Sequence, residues 1–158
     1  MKILVADDDE VSALVLSERL QDLGYDVTVA SDGLEAWREL QSSEYRLLIL
    51  DWMMPQIDGI ELCRRIRSSQ LERYVYIVIL TGRTNRRDRL EALECGADDF
   101  LTKPLDQAEL LARLKAAERI LSSDEALRKS NSELQLAHQK EIEIGAHIQR
   151  RLLYSPPP

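Results

Sequence analysis

The chain is poor in the residues that would build a soft-metal centre, a disulfide scaffold or a membrane anchor. It has two cysteines and two histidines in 158 residues. Cys63 and Cys95 fit no metal-binding or disulfide spacing. Residues Met1 to Glu10 carry neither the basic region nor the apolar region of a secretory leader. No apolar run approaches the roughly 20 residues needed to span a bilayer. A chain of a reducing, cytoplasmic compartment with no membrane attachment is expected. An excess of positive charge is missing too: 21 Lys and Arg stand against 28 Asp and Glu, a net charge of -7. That balance argues against a general electrostatic partner such as nucleic acid or anionic lipid. Five acids and five bases lie beyond Leu121, so the whole negative excess belongs to the part before it.

What the sequence does have is one theme repeated. A short apolar run is followed by a polar turn and then by a stretch of helical period. The apolar runs are Lys2 to Ala6, Asp26 to Ala30, Arg46 to Leu50, Val75 to Leu80 and Asp98 to Thr102. Periodic stretches fall near Val11 to Leu23, Gly33 to Gln41, Ile57 to Arg67, Arg86 to Cys95 and Asp106 to Leu121. Gly24 and Gly96 stand just past two of them and read as C-terminal caps. This alternation predicts an α/β fold, a doubly wound parallel sheet of five strands with helices on both faces. Leu47 to Leu50 and Ile77 to Leu80 are apolar without alternation and belong in the middle of the sheet. Asp26 to Ala30 is more mixed.

In such a sheet, ligands sit beyond the carboxyl ends of the strands. There the first run ends in Asp7-Asp8-Asp9, the third in Asp51, the fourth in Thr81 and the fifth in Lys103-Pro104. Neighbouring carboxylates 4 Å apart repel by about 4 kcal/mol at an effective dielectric near 20, so counter-charge is required. A divalent cation and Lys103 would supply it. Oxygen ligands without His or Cys suit a hard ion, Mg²⁺ in preference to Ca²⁺ where few protein ligands leave positions open. Asp51, alone and central, is then the candidate nucleophile toward phosphorus. Taken singly, each of these residues is as compatible with a helix cap or a turn.

Taken together, they match a pattern. Ile3-Leu4-Val5-Ala6-Asp7-Asp8-Asp9, Asp51 to Gly59, Thr81-Gly82 and Gly96 to Pro104 strongly resemble the receiver domains of bacterial response regulators, over roughly Lys2 to Leu121. The resemblance implies a CheY-like, flavodoxin-like sheet of strand order 2-1-3-4-5. It implies Asp51 as phospho-acceptor, with Mg²⁺ held by Asp7, Asp8, Asp51 and the backbone carbonyl of Met53. Lys103 would pair with the phosphoryl oxygens. Thr81 and Phe100 would form the switch, and Pro104 resembles the family's cis-prolyl site. A sensor histidine kinase or a histidine phosphotransfer protein is the implied phosphodonor. Phe100 stands where Tyr is frequent, Gly82 where Ala is and Leu105 where Phe is; none of these changes removes a catalytic group. Arg83, Arg86, Arg87 and Arg89 cluster near the expected signalling surface.

Beyond Leu121, Ser122-Ser123-Asp124-Glu125 reads either as a linker or as a helix N-cap. The fifth helix is expected to extend into residues 122–153 as a helical coiled-coil linker, an extended C-terminal helix, with 154–158 a proline-rich end leading to an output domain outside this chain. Ile120, Leu127, Leu134 and Ile148 share a heptad position interrupted by Glu141, with Asn131 and His138 offset by four. A parallel homodimeric coiled coil is expected; a solvated helix without a partner is the alternative. The run Glu141 to Leu153, followed by prolines, is similar to the lead-in of SpoIIE-like metal-dependent serine/threonine phosphatases. As it stands the chain is expected to be no enzyme beyond its own phosphorylation and dephosphorylation at Asp51. A diguanylate cyclase or kinase output, or a constitutive dimerisation scaffold with a vestigial pocket, are the other readings. No basic helix-turn-helix follows, which disfavours DNA binding.

Overall fold

The computed structural model describes residues 1–82 and 86–154. Arg83 of the basic cluster and the terminal prolines lie outside the described residues. Five strands alternate with five helices: β1 (Lys2–Ala6), α1 (Glu10–Asp22), β2 (Asp26–Ala30), α2 (Gly33–Ser42), β3 (Leu47–Asp51), α3 (Gly59–Ser68), β4 (Tyr76–Thr81), α4 (Arg86–Glu94), β5 (Asp99–Thr102) and α5 (Gln107–Tyr154). All pairs are parallel, in the order β2-β1-β3-β4-β5. This is the expected flavodoxin-like topology, with the continuously apolar β3 and β4 inside the sheet and the mixed β2 at its edge.

The period of two along each strand divides the apolar side chains between two faces. Leu4, Ala6, Leu48, Leu50, Ile77 and Ile79 pack against α2, α3 and α4 through Ala36, Leu40, Ile60, Cys63, Ile66 and Ala92. Ile3, Val5, Leu47, Ile49, Val78 and Leu80 point the other way, onto Leu16 and Leu20 of α1 and Leu110, Leu114, Ala117 and Leu121 of α5. Each such aliphatic side chain contributes about 1.5–3 kcal/mol on burial. A sheet covered on both faces therefore holds its carboxyl edge rigidly.

The helix starts are set by aspartates. Asp9, Asp32 and Asp58 each accept a backbone N–H in the first turn of α1, α2 and α3, and Asp106 does the same for α5 through Ala108 and Glu109. Asp58 explains why α3 begins at Gly59, two residues later than periodicity suggested. Gly24 and Gly96 take φ of +94° and +96°, the left-handed conformation that terminates a helix and that side chains disfavour. Both were legible as caps.

Two strand ends differ from expectation in a way that matters. The third and fourth strands extend to Asp51 and Thr81, because Asp51 pairs with Leu80 and Thr81 with Thr102 in the ladder. The expected extended C-terminal helix is present: α5 continues through Ser122 and Ser123, which neither cap a new helix nor form a linker break. The chain divides into two units after Leu121. In the second, Leu127, Leu134, Leu136, Ile142, Ile144, Ile148, Leu152 and Leu153 are all exposed. No described helix is long and apolar enough to cross a membrane.

Candidate functional site

At the carboxyl edge of the sheet, β1 hands over to Asp7 and Asp8 while β3 ends on Asp51. One carboxylate oxygen from each lies within 4.8 Å of the others. Asp7 and Asp51 are buried, 2% and 8% exposed, and Asp8 faces solvent. The third aspartate of the run is different in kind. Asp9 accepts hydrogen bonds from Val11 N, Ser12 N and the Ser12 hydroxyl. These bonds, the hydroxyl first, hold its carboxyl below the usual range, so Asp9 is the cap of α1 and not part of the acidic cluster. Its own N–H donates to Asp7 Oδ1 at 3.0 Å, which fixes the orientation of Asp7.

Lys103, just past β5, brings the counter-charge. Its Nζ is 3.2 Å from Asp51 Oδ1 and 3.5 Å from Asp7 Oδ2. The Lys103–Pro104 peptide is cis. Burial opposes the ammonium, yet Asp51 and Asp7 together hold the Lys103 pKa above the ordinary lysine value. One cation does not balance the site. Burial, and next the Asp7 carboxylate, push the Asp51 carboxyl up to about 6 despite Lys103. Three hard oxygen donors with negative charge left over suit a hard divalent cation of the Mg²⁺ type.

The loop after β3 shapes the floor of the site. The Ile57 N–H donates to the Pro55 carbonyl at 2.9 Å across Gln56, whose φ is +70°, a tight three-residue turn. Gly59 then donates to the Trp52 carbonyl at 3.0 Å. A Cβ at Gly59 would stand 2.5 Å from the Asp51 carbonyl oxygen, so only glycine lets α3 approach so closely. Gln56 and Gly59 entered the sequence reading only as members of the motif Asp51 to Gly59, with no role of their own, although Asp58-Gly59 carries the signal of a capped helix start. Met53, two residues past Asp51, has an exposed side chain.

The remaining expected residues sit on β4 and β5. Thr81 is buried at the end of β4, and its carbonyl accepts the Lys103 N–H at 2.8 Å. Phe100, opposite Ile79 in the ladder, is partly buried against the core beside α4. The Arg89 guanidinium lies 5.7 Å from its ring centroid. Asp7, Asp8, Asp51, Lys103 and Thr81 thus meet at one edge, while Phe100 lies two residues back along β5.

Comparison with known proteins agrees with this fold. Residues 3–115 match the family model described as response regulator receiver domain. The alkaline phosphatase synthesis transcriptional regulatory protein PhoP of Bacillus subtilis is 43% identical over 115 residues, which cover 73% of this chain and 47% of that protein. This chain spans about half or less of the length of the curated relatives it matches. Among solved structures, the receiver domain of the Francisella response regulator 1452 aligns with a TM-score of 0.70 at 36% identity, over 75% of this chain and 96% of that one. A probable two-component system response regulator/GGDEF domain protein aligns with a TM-score of 0.72 at 30% identity, over 77% of this chain and 50% of that one. With its five-stranded sheet and acidic edge, the chain belongs to the response regulator receiver domain family of two-component signalling proteins.

Proposed function

We propose that Asp51 accepts a phosphoryl group from a histidine kinase or a histidine phosphotransfer protein, and that this modification switches the output to which α5 leads. The observation that carries the reading is the packing of Asp51 within 4.8 Å of Asp7 and Asp8, with Lys103 Nζ 3.2 Å from its Oδ1. Burial and then the Asp7 carboxylate push the Asp51 carboxyl up to about 6, which leaves it mostly ionised at neutral pH with no need of a separate base. Its carboxylate attacks phosphorus and forms the acyl phosphate as the bond to the donor's histidine nitrogen breaks. Lys103 stays paired with the charge that moves outward. Asp7, Asp8, Asp51 and the Met53 carbonyl would hold Mg²⁺, which when bound supplies neutralisation of the phosphoryl oxygens. Return to the unmodified state is hydrolysis of the same acyl phosphate; phosphorylation and dephosphorylation at Asp51 are the reactions assigned to this chain.

The new phosphoryl oxygens select a state in which the Thr81 hydroxyl donates to one of them. Because the Thr81 carbonyl holds the Lys103 backbone N–H, β4 and β5 respond together, and Phe100 turns inward to fill the space Thr81 leaves. Incubation with a small phosphodonor and Mg²⁺ tests the assignment. Wild type is expected to take up one phosphoryl group, mapped to Asp51, and Asp51→Asn none. Undiminished labelling of Asp51→Asn refutes it.

The output reading rests on the tail. Ala146, Ile148-Gln149 and Leu152-Leu153 support a serine/threonine phosphatase of the SpoIIE-like type beyond this chain. A diguanylate cyclase is the second reading, favoured by the likeness to the GGDEF domain protein. Exposed Ile120, Leu127, Leu134 and Ile148 support a parallel two-stranded coiled coil, weakened along its seam by Asn131, His138 and Glu141. Sedimentation of the full chain beside a version ending at Leu121 is expected to show a dimer of about micromolar affinity only for the former. Equal monomeric masses at tens of micromolar contradict the dimer.

A further inference from the structure

The two cysteines, 32 positions apart in sequence, meet in the core. Cys63 lies in α3, and Cys95 follows directly on α4. The Cys63 Sγ donates to the Cys95 carbonyl oxygen at 3.4 Å and the Cys95 Sγ to the Ala92 carbonyl oxygen at 2.9 Å. The Cys63 sulfur thus lies against the backbone of Cys95 itself. Both side chains are buried among Ile66, Ile77 and Ala92. Neither takes part in the chemistry at Asp51, and no described cluster uses them as metal ligands.

Their surroundings differ, which gives the pair a direction. The neighbouring Cys63 thiol, and after it the Ala97 backbone and the charges of Arg64 and Arg67, hold the Cys95 thiol below its usual value. The Cys95 neighbour, and burial next, push the Cys63 thiol up. Cys95 is therefore the sulfur more easily ionised and oxidised first. Access comes through α4, which buries only one of its residues, Ala92. An element with so little apolar anchoring opens locally at low cost, and its opening uncovers Cys95 first.

We infer that Cys63 and Cys95 form a peroxide-responsive thiol pair, oxidised to an intramolecular disulfide that ties the end of α4 to α3. The Cys95 thiolate attacks one oxygen of hydrogen peroxide and the O–O bond breaks, giving a sulfenic acid and, after protonation, one water. The Cys63 sulfur then attacks the Cys95 sulfur. The S–S bond forms, the S–O bond breaks, and the departing hydroxide takes the Cys63 proton to leave as a second water. Two thiols are oxidised by two electrons and one peroxide is reduced. In a reducing compartment such a bridge is transient, reversed by dithiols. While it lasts, it fastens the helix that flanks Phe100.

The full chain, treated with hydrogen peroxide in native buffer, alkylated and digested without reduction, tests this. A cross-linked Cys63–Cys95 peptide lighter by two hydrogens is expected, restored to two alkylatable thiols by dithiothreitol. Bridging is expected to be at least about tenfold slower in urea, where proximity is lost. In Cys63→Ala the reaction is expected to stop at a Cys95 sulfenic acid trapped by dimedone. Two thiols still fully alkylatable after peroxide, a Cys95 sulfinic acid with Cys63 untouched, disulfides only between chains, or equal rates in urea and native buffer each overturn the proposal.

Discussion

At the amino edge of the sheet, Arg67 reaches from α3 to the Gly96 and Val75 carbonyls, at 2.8 Å each, and to Asp98 Oδ2 at 2.7 Å. Asp98 also accepts from the Ile77 N–H and from the Tyr74 hydroxyl, and the Tyr74 ring lies under the guanidinium, 4.8 Å from centroid to Cζ. One cation meets one carboxylate there, and each is surrounded by further partners. At the carboxyl edge, a single lysine faces Asp51 and Asp7, with Asp8 beside them. The two edges use the same residue types within one sheet, yet only the first is electrically closed. A closed network is what stability selects; a site left with excess negative charge is what binding a cation and a phosphoryl group requires.

Breaking the closed edge is expected to have the larger effect on folding. Arg67→Ala leaves Asp98 without its cation and two carbonyls without their donor, a loss of about 3 kcal/mol in urea unfolding. A loss below about 0.5 kcal/mol means that the amino edge holds nothing together. At the open edge the sign reverses. The folded chain keeps the Asp51 proton up to about pH 6, whereas the unfolded chain releases it near pH 4. This group's contribution is therefore most favourable below about pH 4 and is lost as pH rises through the window from about 4 to 6. The decline is about 1–2 kcal/mol after allowance for solvent screening. It is expected in wild type and absent in Asp51→Asn, so parallel stability profiles for the two proteins across that window contradict the assignment.

Legibility in the sequence followed the same division. The interior position of β3 and β4 and the caps at Gly24 and Gly96 came from hydrophobic period and turn chemistry, both of which are local, whereas the strand order came from the resemblance to receiver domains. The acidic edge was legible because a doubly wound sheet brings strand ends together, whatever their separation in sequence. Asp9 could not be told from Asp7 and Asp8 by spacing, since capping depends on where α1 begins. Arg67 gave no signal at all: it reads as one basic residue on an amphipathic helix, and its partners come from three other segments. The continuation of the fifth helix past Ser122 was legible from the spacing of Ile120, Leu127, Leu134 and Ile148, although serine caps a helix in one setting and sits on its exposed face in another. Cys63 and Cys95 meet only through the packing of α3 against the end of α4.

The most direct test of the contrast between the edges is urea unfolding of wild type and Asp51→Asn at pH 7.5, with and without Mg²⁺. Without the cation, Asp51→Asn is expected to be the more stable by about 1–2 kcal/mol, because one buried charge is gone. With Mg²⁺ well above its dissociation constant, wild type is expected to gain about 1–3 kcal/mol and the variant markedly less. A wild type unmoved by Mg²⁺, or a variant less stable than wild type in its absence, contradicts the account of an acidic edge left open for a ligand.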